Sequence, residues 1–177
     1  MIEVKNAIKT FDGNRVLKDI TATFETGKTN LIIGQSGSGK TVLMKSIVGI
    51  HRIDSGSISY DGRDIVSMKR TELNKLRREI GMLFQGSALF DSMTVLQNVM
   101  FPLDMFTEMS MREKIQRAKF CLERVELSHA VKLYPSEISG GMQKRAAIAR
   151  AIVLNPKYLF CDEPNSGLDP KTSLLID

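Results

Sequence analysis

Gly34-Gln35-Ser36-Gly37-Ser38-Gly39-Lys40-Thr41 stands between the apolar triplet Leu31-Ile32-Ile33 and a helix-patterned stretch from Thr41 to Ile50. Strand, glycine-rich turn and helix follow one another, and that order decides the fold. Gly34, Gly37 and Gly39 let the backbone curl until several N–H groups converge on one concave nest, with Ser36 and Ser38 between them. A helix beginning near Gly39 adds the positive end of its dipole at the same point. Lys40 contributes a full positive charge, and the Thr41 hydroxyl suits a magnesium ion. The reading is a cradle for the β- and γ-phosphates of a nucleoside triphosphate. A glycine turn beside a surface lysine is the competing reading, and a chance match of this length arises in a chain like this on the order of 1% of the time.

Downstream, Tyr158-Leu159-Phe160-Cys161 is an apolar run ending in Asp162-Glu163. At the carboxyl end of a parallel strand, such acids face the crevice that holds the phosphates. Neighbours on an extended chain point apart, so the two acids take different roles. Asp162 is expected to hold Mg²⁺ through water, and Glu163 to polarise the attacking water as general base.

Around these anchors the chain alternates strand and helix patterns, which predicts an α/β fold. Ile2–Val4, Ala7–Phe11, Val16-Leu17 and Ile20–Phe24 read as short strands at the N-terminal end, with turn residues at Asp12-Gly13-Asn14. Ser57–Tyr60 followed by Asp61-Gly62 reads as strand and turn. Leu31–Ile33, Ile80–Phe84 and Leu159–Cys161 read as buried strands. From Thr94 to Val125 the pattern is helical, rich in Met and charge. Gly140–Leu154 is a helix stopped by Asn155-Pro156.

Ser139-Gly140-Gly141 opens that last helix. The run Ile138-Ser139-Gly140-Gly141-Met142, upstream of the acidic strand end, resembles the LSGGQ signature of the ABC transporter ATPases. The resemblance extends from Ile2 to Asp177. It implies a P-loop NTPase (RecA-like) core with an N-terminal antiparallel β subdomain and an inserted ABC-type helical subdomain at about 94–150, all one ATP-binding domain over 1–177. It implies that Ser139, Gly140 and Gly141, together with Asp169 in the D-loop-like Ser166-Gly167-Leu168-Asp169, reach ATP held by a second copy in a head-to-tail dimer. Gln85 resembles the Q-loop glutamine that senses Mg²⁺ and water. Phe11 resembles the aromatic that stacks on adenine, with a core Phe as the alternative.

ATP and Mg²⁺ are therefore the expected ligands, with Glu163, Gln85 and Lys40 catalytic. Phe11, Gly34, Ser36, Gly37, Ser38, Gly39, Lys40 and Thr41 are expected to bind nucleotide, and Thr41, Gln85 and Asp162 the metal. In the family a switch histidine and the strand before it follow the acidic strand. His51 and His129 are in other places and read as surface or helix residues. The expectation is that the final strands are missing and that these residues are an N-terminal portion of a longer subunit, so that the isolated piece binds nucleotide without normal turnover.

The stretch Gln85-Gly86-Ser87-Ala88-Leu89-Phe90-Asp91-Ser92-Met93-Thr94-Val95, with Phe101-Pro102-Leu103, is similar to the ATPases of Mla/Mce-type lipid transport systems. Met142 fits the SGGM form of the signature there. The resemblance implies a peripheral subunit on the cytoplasmic face of the bacterial inner membrane. Its partners would be integral membrane permeases, a second copy of itself and periplasmic lipid-binding components. Alternatives are an importer of another solute and a non-transport ABC ATPase of DNA repair or translation. The region between Lys40 and Ser139 has no sustained heptads and no long basic run, which argues against the latter and against nucleic acid as a partner.

Composition agrees with this picture. The chain has 177 residues, 42% hydrophobic and 25% charged, with a net charge of +5. That suits one domain with a core. No apolar run approaches the ~20 residues of a membrane span. Cys121 and Cys161 lack metal-like spacing and are expected to be buried thiols in a reducing compartment.

Overall fold

The computed structural model describes residues 1–163 and divides into two units, Met1–Arg77 and the part from Arg78 onward. In the first unit, β1 (Ile2–Phe11), β2 (Asn14–Phe24), β3 (Ser55–Tyr60) and β4 (Arg63–Asp64) form an antiparallel sheet of order β2-β1-β3-β4. Both expected turns are present. Asp12 and Gly13 (φ 47° and 80°) close β1 on β2, and Asp61 and Gly62 (φ 48° and 79°) close β3 on β4. Two successive positive φ angles give the twist that two-residue hairpins need.

The strand pairs read separately in the sequence join into single bulged strands. The β1–β2 register shifts between Val4 and Ala7, where Asn6 takes φ 50° opposite Asp19 at φ 62°. Asn6 Nδ2 donates to Asp19 Oδ1 at 2.9 Å, so the irregularity is held by side chains of its own. The buried face carries Ile2, Val4, Ala7, Leu17, Ile58 and Tyr60. Helix α1 (Lys40–Ile47) ends sooner than its apolar pattern, and the Tyr60 hydroxyl donates to the Ile47 carbonyl at 3.0 Å. Helix α2 (Arg70–Arg78), which the sequence reading missed, buries only Leu76.

Leu31–Ile33 departs from expectation. The segment is not a strand, and Leu31 and Ile33 are 78% and 84% exposed. A strand exists only through its ladder, and no strand among the described residues pairs with this one.

The second unit holds a parallel pair, β5 (Ile80–Leu83) and β6 (Tyr158–Cys161), in the register Ile80↔Tyr158 through Leu83↔Cys161. Helices α3 (Val95–Phe106), α4 (Met111–Arg124) and α5 (Gly140–Ile152) pack on one core that includes Val95, Val99, Leu103, Ala118, Leu122, Ala146 and Ala149. Capping boxes start two of them, Thr94 with Gln97 and Ser110 with Glu113. Arg117 of α4 donates to the carbonyls of Val153 (2.8 Å) and Ile152 (3.3 Å), satisfying the end of α5. Cys121 is buried as expected. Cys161 is exposed, a correction that follows from its place at the last residue of β6. His129 is exposed in a short 3₁₀ turn, Ser128–Ala130.

Candidate functional site

The phosphate loop lies in the first unit. Ser38 N–H donates to the Gln35 carbonyl at 3.2 Å, which turns the loop, and Lys40 Nζ reaches back to the carbonyls of Gly34 (2.8 Å) and Gln35 (3.0 Å). Gly39 precedes α1 at φ 96°, and no side chain caps that helix start. A Cβ on Gly39 would meet Val16 O and Val16 Cγ1 at 3.2 Å, and one on Gly34 would meet Ser38 Oγ at 2.7 Å. The loop is thus a tight backbone cradle that leaves little room for side chains, with an ammonium over it and a helix start that no side chain caps. These features fit a bound polyphosphate.

Phe11 closes β1 with its ring 37% exposed. His51 packs edge-on against it, ring centroids 5.3 Å apart at 73°, and Lys9 Nζ lies 5.2 Å from the ring centre. The exposure of Phe11 suits a stacking role and is unlike that of a core phenylalanine. His51 is half-buried there, so its place in the fold is a contact with Phe11.

The acidic strand end lies in the second unit. Asp162 N–H continues the parallel ladder by donating to Leu83 O at 2.9 Å, and the residue is buried. Glu163 is exposed and takes φ 49°, the left-handed region that non-glycine residues avoid. The two acids therefore occupy different environments. Gln85, after β5, donates from Nε2 to Glu163 Oε2 at 2.7 Å, so the expected catalytic glutamine and glutamate meet.

Lys144, which the sequence reading passed over, is 4% exposed and donates from Nζ to the Glu163 carbonyl at 3.2 Å. Burial pushes its ammonium below the ordinary lysine range, and the Glu163 charge opposes that shift. A signal for it exists in the sequence: Lys144 precedes Ala147 and Ala151 at helical spacing, on the buried stripe of α5.

At the start of α5 the Ser139 hydroxyl accepts from Met142 N–H at 3.3 Å, and Ser139 and Gly140 are exposed. This is a side-chain cap on an exposed helix start. Among the described residues, no three His, Cys, Asp or Glu side chains cluster to hold a metal. The donor set named for Mg²⁺ is a hydroxyl, an amide and a carboxylate, which fits an ion that keeps water and phosphate ligands. Asp169 and the rest of Ser166–Asp169 lie outside the described residues. No helix among the described residues is long and apolar enough to cross a membrane.

The ABC transporter family profile matches residues 17–166. A probable ribonucleotide transport ATP-binding protein of Mycobacterium leprae is 44% identical over 169 residues, which is 96% of this chain and 49% of that protein. A methionine import ATP-binding protein of Clostridium acetobutylicum is 40% identical over 99% of this chain and 55% of its own. A phosphonates import ATP-binding protein of Lactobacillus acidophilus is 39% identical, with 99% of this chain and 72% of that one covered. The chain spans about half the length of the first two of these relatives. Among solved structures, a bacterial ABC transporter cassette in dimeric form superposes with a TM-score of 0.93 at 35% identity, over 99% of this chain and 79% of that one. A cassette bound to ADP and phosphate after hydrolysis gives 0.93 at 34%, with the same coverage.

Proposed function

This chain belongs to the ABC transporter family, and from that premise we propose that it is the ATP-binding and ATP-hydrolysing part of a membrane transport system. The observation that carries the reading is the cradle at Gly34–Thr41, with Lys40 Nζ over the loop carbonyls and the start of α1 left uncapped by side chains.

ATP binds with its β- and γ-phosphates on this loop and its adenine against Phe11. Lys40 neutralises phosphate charge. Thr41, Gln85 and, through water, Asp162 would hold Mg²⁺, which would supply neutralising charge for the phosphates. Glu163 takes a proton from the attacking water, and its contact with Gln85 fixes where the carboxylate sits. Ser139, Gly140 and Gly141 of a second copy contact the γ-phosphate from the other side, so two copies close head-to-tail on two ATP molecules. Catalysis is positioning and electrostatics throughout, with no covalent intermediate on the protein. Closing and reopening of the pair moves membrane permease subunits, and the chain sits peripherally on the cytoplasmic side of the inner membrane.

For cargo, the similarity of residues 84–103 and of the SGGM signature to Mla/Mce-type ATPases supports a phospholipid. A second reading, import of a polar solute, is favoured by the relatives, which are named for transport of ribonucleotides, methionine and phosphonates.

Thermal unfolding with and without Mg-ATP tests the nucleotide site. The midpoint rises with ATP concentration by the linkage of binding to folding, and Lys40→Ala abolishes the rise. An equal rise in Lys40→Ala rejects the site. Purification of the native membrane complex through a tag on this chain, with mass spectrometry of its bound small molecules, decides the cargo: co-purified phospholipid supports the first reading, and a bound polar solute replaces it with the second.

A further inference from the structure

We propose that Lys144 is a positioning residue for ATP hydrolysis, holding the backbone of Glu163 in the turn that presents its carboxylate to Gln85. The inference rests on the reading of Glu163 as general base.

Three observations support it. The Lys144 ammonium is buried on an otherwise alanine-lined stripe of α5, where an apolar side chain would cost nothing in desolvation. Its Nζ donates to the carbonyl of Glu163, a residue with a left-handed backbone. Strained conformations persist where the surroundings over-determine them, and here a charged donor holds the carbonyl while Gln85 holds the carboxylate. Glu163 is thus fixed at both ends, its backbone from α5 and its side chain from the segment after β5.

Placement ties this to the signature. Lys144 lies little more than one helical turn from Ser139, so the helix that presents Ser139, Gly140 and Gly141 also grips the general base. A shift of the start of α5 when a second copy closes on it moves the Glu163 carbonyl directly. The lysine acts through Glu163 and does not touch ATP.

The test compares Lys144→Met, Lys144→Arg and Glu163→Gln with the unaltered sequence, each assayed in the native membrane complex. Methionine keeps the length and loses the donor; arginine keeps a donor. Steady-state hydrolysis is expected to show kcat down about tenfold or more in Lys144→Met, in the range that small misplacements produce, with KM for ATP little changed and most of the rate recovered in Lys144→Arg. Hydrogen exchange of a peptide covering 158–163, which needs no turnover, is expected to be faster in Lys144→Met alone. Unchanged kcat in Lys144→Met, or unchanged exchange over 158–163, overturns the proposal. Glu163→Gln separates the two ideas: if it hydrolyses ATP at the unaltered rate, the general-base reading fails, while a stalled Glu163→Gln beside a fully active Lys144→Met removes Lys144 alone.

Discussion

Gln85 Nε2 donates to Glu163 Oε2 at 2.7 Å, joining the segments that follow the two parallel strands β5 and β6. The bond takes up one carboxylate oxygen and leaves the other for water. Glu163→Gln keeps an oxygen that accepts from Gln85, so it removes charge and basicity while the contact can stay. Nucleotide affinity is expected to hold and kcat to fall on the order of 10²–10⁴-fold, the usual worth of a positioned base. Binding and turnover measured on the same preparation of the native membrane complex check this, and hydrolysis at the unaltered rate rejects the assignment.

The phosphate loop makes a sharper prediction through two glycines. Gly37 and Gly39 both have positive φ, 78° and 96°. An added Cβ at Gly37 meets nothing within 4 Å, whereas at Gly39 it meets Val16 O and Val16 Cγ1 at 3.2 Å. Gly37→Ala is expected to cost about 1–2 kcal/mol, the backbone penalty alone. Gly39→Ala adds the displacement of the β2 backbone and should also lose the ATP-dependent rise in melting temperature. Equal behaviour of the two variants would show that the loop is not braced against Val16.

How much of this was legible in the sequence depends on whether a feature is local. The Asp12-Gly13 and Asp61-Gly62 turns, the glycine loop and the Ser139 cap each carry their geometry within a few residues, and all were readable. Leu31–Ile33 has the composition of a buried strand, but composition does not supply a ladder partner, and the segment is exposed. Cys161 ends an equally apolar run and does pair with β5, but it is exposed at the last position of β6. Helical spacing places Lys144 on the buried stripe of α5, but its acceptor, a backbone carbonyl 19 residues on, has no sequence signal. Asn98 is similar: buried, it donates to the carbonyls of Phe90, Met93 and Thr94 and accepts from Phe90 N–H, organising the entry to α3.

Gly81 predicts a packing defect. A Cβ there would stand 2.3 Å from the Ala151 carbonyl oxygen and 2.9 Å from Pro156 Cγ. The end of α5 lies against β5 at a distance only glycine allows. Gly81→Ala is expected to destabilise by about 1–3 kcal/mol, as overpacking does, read as a lower urea midpoint. An unchanged midpoint would mean that this helix and strand are not in close contact in solution.

Asp54 gives the pH dependence. The Lys9 ammonium (2.8 Å) and the Thr10 N–H (2.6 Å) hold its carboxyl below the ordinary carboxylate range. A group with a depressed folded pKa stabilises above its unfolded value, near 3.9, and loses that contribution as pH falls through the folded one. Asp54→Asn should therefore be less stable than the unaltered chain at neutral pH, with the difference fading below about pH 4. A difference that grew on acidification would have the wrong sign and reject the assignment.

Helix α5 sends three cations to turns that hold non-glycine residues in the left-handed region. Lys144 donates to the carbonyl of Glu163 (φ 49°), Arg145 to Val125 at 3.1 Å beside Glu126 (φ 58°), and Arg150 to Ala88 (φ 49°) and Ser87, both at 2.8 Å. Arg150 fixes the stretch just beyond Gln85, while Lys144 fixes the acid that Gln85 contacts, so one helix sets both partners of the 2.7 Å bond. Arg150→Met removes two charge-assisted bonds, an expected loss of about 2–3 kcal/mol. It should also speed hydrogen exchange over 85–90 and lower kcat without loss of ATP binding. Arg150→Lys keeps the charge but has no planar fork for two carbonyls, and is expected to fall between them. If Arg150→Met loses stability with exchange over 85–90 unchanged, the arginine braces the helix core and the coupling to Gln85 is wrong.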